Sequence, residues 1–185
     1  MFTEQAEQFI YNAVQIPALR RNQTGFLSIA DPYLIFPVDF LYPFSLAVID
    51  AAGNYTYLLN KDVNFMREAY PNPTSVAKPK HYGLFDDTAF ILGPTPDIAY
   101  SVELHYGYYP QTIVTAGTTW LGTEFDSALL NGALVQAIRF MKGEAELVAL
   151  YQKMFEQSMT LLKNLGDGKM REDMYRSGQL RIEPR

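Results

Sequence analysis

Apolar residues recur along this chain with two different periods, and the change of period divides it. Residues 119–165, TWLGTEFDSALLNGALVQAIRFMKGEAELVALYQKMFEQSMTLLKNL, carry the helical one. Leu130, Leu134, Ala137, Ile138 and Met141 form one stripe, and Phe125, Leu129, Ala133 and Phe140 form a second. After Gly143, Leu147, Tyr151, Met154, Leu161 and Leu165 follow 4-3 spacing, with Val148, Phe155, Met159 and Leu162 on another face. The pattern predicts two helices, 124–142 and 144–165, joined at Gly143. Thr123 and Asp126 have the spacing of a capping box. Lys142 complements the negative helix end, Gly143 suits the left-handed C′ position, and Gly166-Asp167-Gly168 reads as a C-cap and hinge. A surface helix of a monomer usually buries one stripe. Two per helix imply a well-buried hairpin in a monomer, or a hairpin with one partner inside the subunit and another across a subunit boundary.

Before residue 119 the elements are shorter. Residues 3–15 are predicted as a helix capped by Thr3, with Phe9, Ile10 and Ala13 as its apolar side and Pro17 ending it. Arg20-Arg21-Asn22 reads as an exposed turn. From residue 25 to 44 the apolar text is cut by Pro32, Pro37 and Pro43, which argues for short extended pieces and against a central strand. Residues 44–50 and 54–59 form a hairpin pattern around Ala51-Ala52-Gly53. Asp62 is placed to cap a short helix running to Tyr70, and residues 71–80 are a polar loop. Residues 81–85 and 88–92 suggest a second hairpin with Asp86-Asp87 at its turn. The clearest strand follows, where Tyr100, Val102, Leu104, Tyr106 and Tyr108 alternate with Ser101, Glu103, His105, Gly107 and Tyr109. The expected fold is α+β. A helical core, made of an N-terminal helix (1–20) and a long C-terminal helical hairpin (119–165), holds an inserted antiparallel β region (25–116), and an extended C-terminal arm (169–185) follows.

Composition narrows the function more than the fold. At 185 residues, 48% apolar and 19% charged, the chain is of soluble globular type. Its net charge of −5 argues against general nucleic-acid binding. The absence of cysteine removes disulfides, thiolate metal sites and thiol nucleophiles. No run of about 18 apolar residues predicts a membrane span, and the N-terminus lacks a signal-peptide pattern. Residues 169–185 depart from the rest, with five basic and three acidic residues and few apolar ones (Met170, Met174, Tyr175, Leu180 and Ile182). Such a segment builds no core, so it is either a frayed terminus or an arm that orders on a partner.

Candidate chemistry is sparse. His81 and His105, with Asp86 or Asp87, are the one conceivable metal or acid–base set, and their spacing has no ligand signature. Glu124 and Asp126 have the residue types of a glycosidase carboxylate pair, yet they stand where a helix start favours acids. Gly166-Asp167-Gly168 follows a helix, whereas a phosphate cradle precedes one. The expectation is no catalytic residue, no metal and no cofactor. A small carboxylate- or histidine-based enzyme, such as a glycan hydrolase, and a monomeric binding module remain as alternatives.

Taken together, SVELHYGYYP, Trp120-Leu121 before an acidic helix start, Leu129-Leu130, Ala133-Leu134, Phe140 and Tyr151 resemble the head-to-tail adaptor proteins of short-tailed bacteriophages. Gly93-Pro94-Thr95-Pro96-Asp97 resembles the proline loop such proteins carry before that strand. The likeness covers roughly residues 78–165. It implies a structural, non-enzymatic virion protein, soluble in the host cytoplasm before assembly, with residues 1–168 as a single adaptor domain. The implied partners are further copies of the chain in a ring, usually of twelve, the portal protein, and the tail or nozzle protein. Double-stranded DNA would pass through without sequence-specific contact, and no membrane is involved. Under this resemblance Leu130, Leu134, Ile138, Met141, Leu147, Tyr151, Met154 and Leu161 are candidates for subunit packing. Met170, Arg171, Met174, Tyr175, Arg176, Leu180, Arg181 and Ile182 are candidates for an arm that binds the portal.

Overall fold

Text of period two and text of helical period fold into different units. A computed structural model describes residues 1–170. In chain order the elements are helix α1 (Phe2–Ala13), a 3-10 turn (Pro17–Leu19), strands β1 (Arg20–Phe26), β2 (Tyr33–Ile35), β3 (Phe40–Ile49), β4 (Tyr55–Tyr57) and β5 (Leu59–Asn60), and helix α2 (Val63–Ala69). Strands β6 (His81–Leu84), β7 (Ala89–Gly93) and β8 (Ser101–Tyr108) follow, then helices α3 (Ile113–Ala116), α4 (Trp120–Glu124), α5 (Asp126–Phe140) and α6 (Ala145–Met170). The fold is α+β, as expected. Arg20–Tyr109 form one compact unit, and Met1–Leu19 join the described residues from Pro110 to Met170 in the other.

In the β unit, β8 lies between β1 and β3 in a four-stranded antiparallel sheet of order β1-β8-β3-β4. Its alternation sorts the residues by face, since successive side chains of a strand point to opposite sides. Val102, Leu104 and Tyr106 are buried, while Ser101, Glu103 and His105 are partly exposed. The buried set joins Leu46 and Val48 of β3 and Tyr82, Phe90 and Leu92 of a second sheet in one core. That second sheet has the order β2-β7-β6-β5, with β5 and β6 parallel. Both expected hairpins form. The first turn is held by the Asp50 carboxylate, which accepts from the backbone N–H of Ala52 and of Asn54, each at 2.9 Å, while Gly53 takes φ 84°. Asp62 caps α2 by accepting from Asn64 N at 3.0 Å.

Two expectations for this unit fail. Arg20, Arg21 and Asn22 open β1 rather than forming a turn: their backbone pairs with Gly107, Tyr106 and His105 of β8. Phe40–Ile49 is one continuous strand across Pro43, paired with β8 along its length but with β4 only at Ala47–Ile49, so Pro43 sits on a stretch with one strand neighbour. The register of β3 on β8 shifts between Phe40 and Tyr42 and again between Pro43 and Ser45. Such irregularities are where a proline, having no N–H to donate, can sit within a sheet.

In the helical unit, α1 packs on α5 and α5 on α6 around Ile10, Tyr11, Val14, Leu19, Leu121, Leu129, Met159 and Leu162. Gly132 allows this approach, because a Cβ there would stand 2.9 Å from the Phe155 ring and 3.1 Å from Ala6. The helix boundaries differ from expectation in physical detail. α1 starts at Phe2, so Thr3 lies inside the helix, and its buried side is Ala6, Glu7, Ile10 and Tyr11, leaving Phe9 and Ala13 exposed. The first long helix is broken at Phe125, which takes φ −143° and stacks on Trp120. Thr119 caps the short α4, its hydroxyl accepting from Gly122 N, while the Thr123 hydroxyl donates to the Thr119 carbonyl, and α5 starts after Phe125 without a side-chain cap. At the hairpin, Lys142 rather than Gly143 is left-handed, with φ 54°. Gly143 N donates to Ile138 O and Lys142 N to Arg139 O, the paired bonds of a Schellman motif. Gly166 and Gly168 do not end α6, which runs through them to Met170. Gly166 is buried where a Cβ would come within 2.8 Å of the Gln15 carbonyl oxygen, so close packing explains this glycine better than capping.

Candidate interaction surfaces

The residues with conceivable chemistry do not converge. His81 and His105 lie on different sheets. The His81 Nδ1 is 2.7 Å from the Tyr70 hydroxyl, with the Phe65 and Tyr70 rings beside it. His105 lies against the Phe44 ring. Asp86 holds the β6–β7 turn. Hydrogen bonds from the Thr88 backbone and hydroxyl, with one from Ala89 N, keep its carboxyl below the ordinary value of 3.8. Glu124 is exposed in α4, and Asp126 accepts from Ser127 N at the start of α5. Among the described residues no group of His, Cys, Asp and Glu is arranged to hold a metal ion. None of the described helices is long and apolar enough to cross a membrane.

Apolar surface is the more prominent feature. Of the residues singled out for subunit packing, Leu130 is 60% exposed, Met141 66% and Leu161 63%, and Leu147 and Met154 are also exposed. Leu134, Ile138 and Tyr151 are half-buried. The second stripe of each helix turns inward: Leu129, Met159 and Leu162 are in the core, with Phe125, Ala133 and Phe155 packed on it. Phe140 departs from its stripe, being exposed and set against the Phe2 ring. Leu150, 53% exposed, belongs to the outer face, although it falls outside the chosen 4-3 stripe. Six large apolar side chains on one face of a two-helix layer exceed the scattered apolar exposure normal for a monomer.

A cleft of about 360 Å³ lies between α1, α5 and α6. Ala6, Gly132, Val135, Phe155 and Met159 give it apolar walls, with Phe9 and Ala13 from α1. Its polar members are Gln136, Arg139, Gln152, Glu156, Thr160 and Lys163. Arg139 donates to the Gln152 side-chain oxygen at 2.8 Å, and Gln152 donates onward to Glu156 at 3.1 Å. In the same unit Glu7 is buried at 2% exposure. One carboxylate oxygen accepts from Ile113 N at 3.0 Å, and the other has no hydrogen-bond partner among the described residues. Nothing in the hydrophobic pattern pointed to Glu7, because its role is set by a backbone N–H more than a hundred positions away.

The β unit has a smaller groove of about 210 Å³ between β1 and β2 over Val102 and Leu104, with Phe26, Ile35 and Val38 exposed. Of the candidate arm, Met170 ends α6, and Arg171, Met174, Tyr175, Arg176, Leu180, Arg181 and Ile182 lie outside the described residues.

A model of the SU10 adaptor protein family matches residues 1–182, nearly the whole chain. No curated protein matches it.

Proposed function

This chain belongs to the SU10 adaptor protein family, and we propose that it forms a ring joining the portal to the tail or nozzle of a phage and completing the DNA channel. Family membership supports the coarser role directly: a structural adaptor of the phage virion that interacts with head and tail proteins. The observation that carries the finer reading is the outer face of the α5–α6 hairpin, where Leu130, Met141, Leu147, Leu150, Met154 and Leu161 are exposed in the single subunit. Apolar burial is worth about 25 cal/mol per Å², so a face of this kind favours association with another protein surface. A repeated contact between non-identical faces builds a ring when its rotation closes. In that assembly Leu134, Ile138 and Tyr151 border the subunit contact.

The acidic chain, at net −5, suits a conduit through which DNA slides, because phosphate contacts from Lys and Arg would hold the duplex. The arm that follows α6, which ends at Met170, docks on the portal. The loops at 71–80 and the exposed tyrosines of the β unit face the tail. Mass photometry and negative-stain microscopy of the chain with and without portal protein test the reading. Portal-dependent rings are expected, and a chain that stays monomeric in the presence of portal would refute it. Removing residues 171–185 is expected to abolish portal attachment while leaving the fold intact; unchanged attachment would remove the arm's role.

A further inference from the structure

The α1–α5–α6 cleft and the apolar hairpin face occupy opposite sides of the same two helices. On α6 the cleft is lined by Gln152, Phe155, Glu156, Met159 and Lys163. The exposed apolar side chains of that helix are Leu147, Leu150, Met154 and Leu161. At 3.6 residues per turn the centres of these two sets stand about half a turn apart. On α5, Gly132, Val135, Gln136 and Arg139 line the cleft, while Leu130 and Met141 are exposed, again about half a turn away.

We propose that the cleft is the receptor for a second copy of this chain, which inserts the apolar hairpin face of one subunit into the α1–α5–α6 cleft of the next. The proposal rests on the ring reading and specifies which surface meets which. Three observations favour this occupant. First, a symmetric dimer through the hairpin faces would cover those faces and leave both clefts open. A head-to-tail contact covers face and cleft in every copy and continues to the next. Second, the two surfaces share the same turns of α6, residues 147–161 on one side and 152–163 on the other. With the α6 helices of neighbours parallel, the contact needs little displacement along the helix axis, and such a repeated contact can close into a ring.

Third, the cleft can take part of the face. The cleft, of about 360 Å³, is within the range of about 300–1,000 Å³ typical of ligand pockets. At its mouth the small, exposed Ala13 leaves room for a Leu or Met side chain, whereas Gly132 is closed by the Phe155 ring and Ala6. The six side chains of the face, between 41% and 66% exposed, present apolar surface of the kind a protein contact covers. The Arg139–Gln152–Glu156 chain of hydrogen bonds and Lys163 then form the polar rim that such interfaces carry around an apolar centre.

The sequence contains no cysteine, so single cysteines report the contact without background. Met154→Cys marks the face and Gln136→Cys marks the cleft. The two variants are mixed with portal protein and treated with a short bismaleimide. A covalent pair only in the mixture, and a ladder of multimers from the double variant, are expected. Rings that form without the mixed crosslink, or Met154→Cys crosslinking to itself, would overturn the proposal and leave the ring reading standing. Absence of rings removes both. Ala13→Trp, which fills the mouth of the cleft and leaves the face intact, should keep the melting temperature and weaken ring formation at least tenfold. Unimpaired assembly of this variant would also overturn the proposal.

Discussion

At the scale of single residues, Glu7 and Lys142 each depart from what the local text favours. A carboxylate buried with one oxygen bonded to Ile113 N and the other unpaired carries a desolvation penalty that one hydrogen bond only partly offsets. Glu7→Gln keeps an oxygen for Ile113 N and removes the charge, so stability should hold or rise. Glu7→Ala leaves that N–H without its acceptor and should destabilise by about 1–3 kcal/mol. Urea unfolding of the two variants checks the order, and equal losses would mean that the bond contributes nothing. Lys142 holds a left-handed conformation that an L side chain adopts at an energetic penalty. Lys142→Gly should therefore stabilise by about 0.5–1 kcal/mol, visible as a higher melting temperature. The reverse economy holds at Gly143, where a Cβ would meet Ile138 Cγ2 at 2.8 Å. The sequence put a glycine at the hairpin but did not say which neighbour would take the unusual φ, because that depends on how tightly Gly143 approaches Ile138.

At the scale of elements, the two β-turns are tied by carboxylates. Hydrogen bonds from Asn54, backbone first, hold the Asp50 carboxyl below its ordinary value of 3.8, and those from Thr88 do the same for Asp86. A carboxyl depressed by folding contributes stability in full above its unfolded pKa and loses it as the pH falls through its folded value. The difference in unfolding free energy between the protein and an Asp50→Asn, Asp86→Asn double variant should thus be constant near neutrality. It should shrink only below about pH 3.8. Denaturant titrations across that range measure it, and a difference that grows on acidification would contradict the assignment. The strands were legible where alternation ran unbroken, as in β8, and at the turns with Asp-rich or Gly-bearing text. β1 was not legible, since Arg20, Arg21 and Asn22 make a strand only through pairing with β8. The continuity of β3 was hidden by Pro43, which is tolerated where the strand has β8 as its one neighbour and the register shifts, a circumstance local sequence does not encode.

At the scale of the molecule, the hairpin separates positions that stabilise the subunit from positions available to join subunits. Leu162 is fully buried and Leu161 beside it is largely exposed. Leu162→Ala should destabilise the isolated chain by about 2–5 kcal/mol. Leu161→Asp should shift its stability by no more than about 0.5 kcal/mol and abolish ring formation. Thermal melts of the free chain, set beside portal-dependent assembly, distinguish the two effects. Unfolding of the Leu161→Asp chain would place this side chain in the subunit's own core.

Sequence alone determined the α+β class, the helical hairpin with two apolar stripes per helix, both β-hairpins and the central alternating strand. All of these follow from periodicity and turn chemistry within a few residues of each position. It also carried the adaptor resemblance, through ordered apolar text rather than any reactive group. Tertiary structure decided which stripe faces inward: Leu129, Met159 and Leu162 meet α1 and its neighbours, leaving Leu130, Met154 and Leu161 outside. Both stripes are equally apolar, so periodicity cannot rank them, and the choice is made by where α1, more than a hundred residues earlier, lays Ala6 and Ile10. The cleft behind the hairpin is likewise a product of three helices distant in sequence, and the close approach of Phe155 and Ala6 to Gly132 in its wall exists only once they pack.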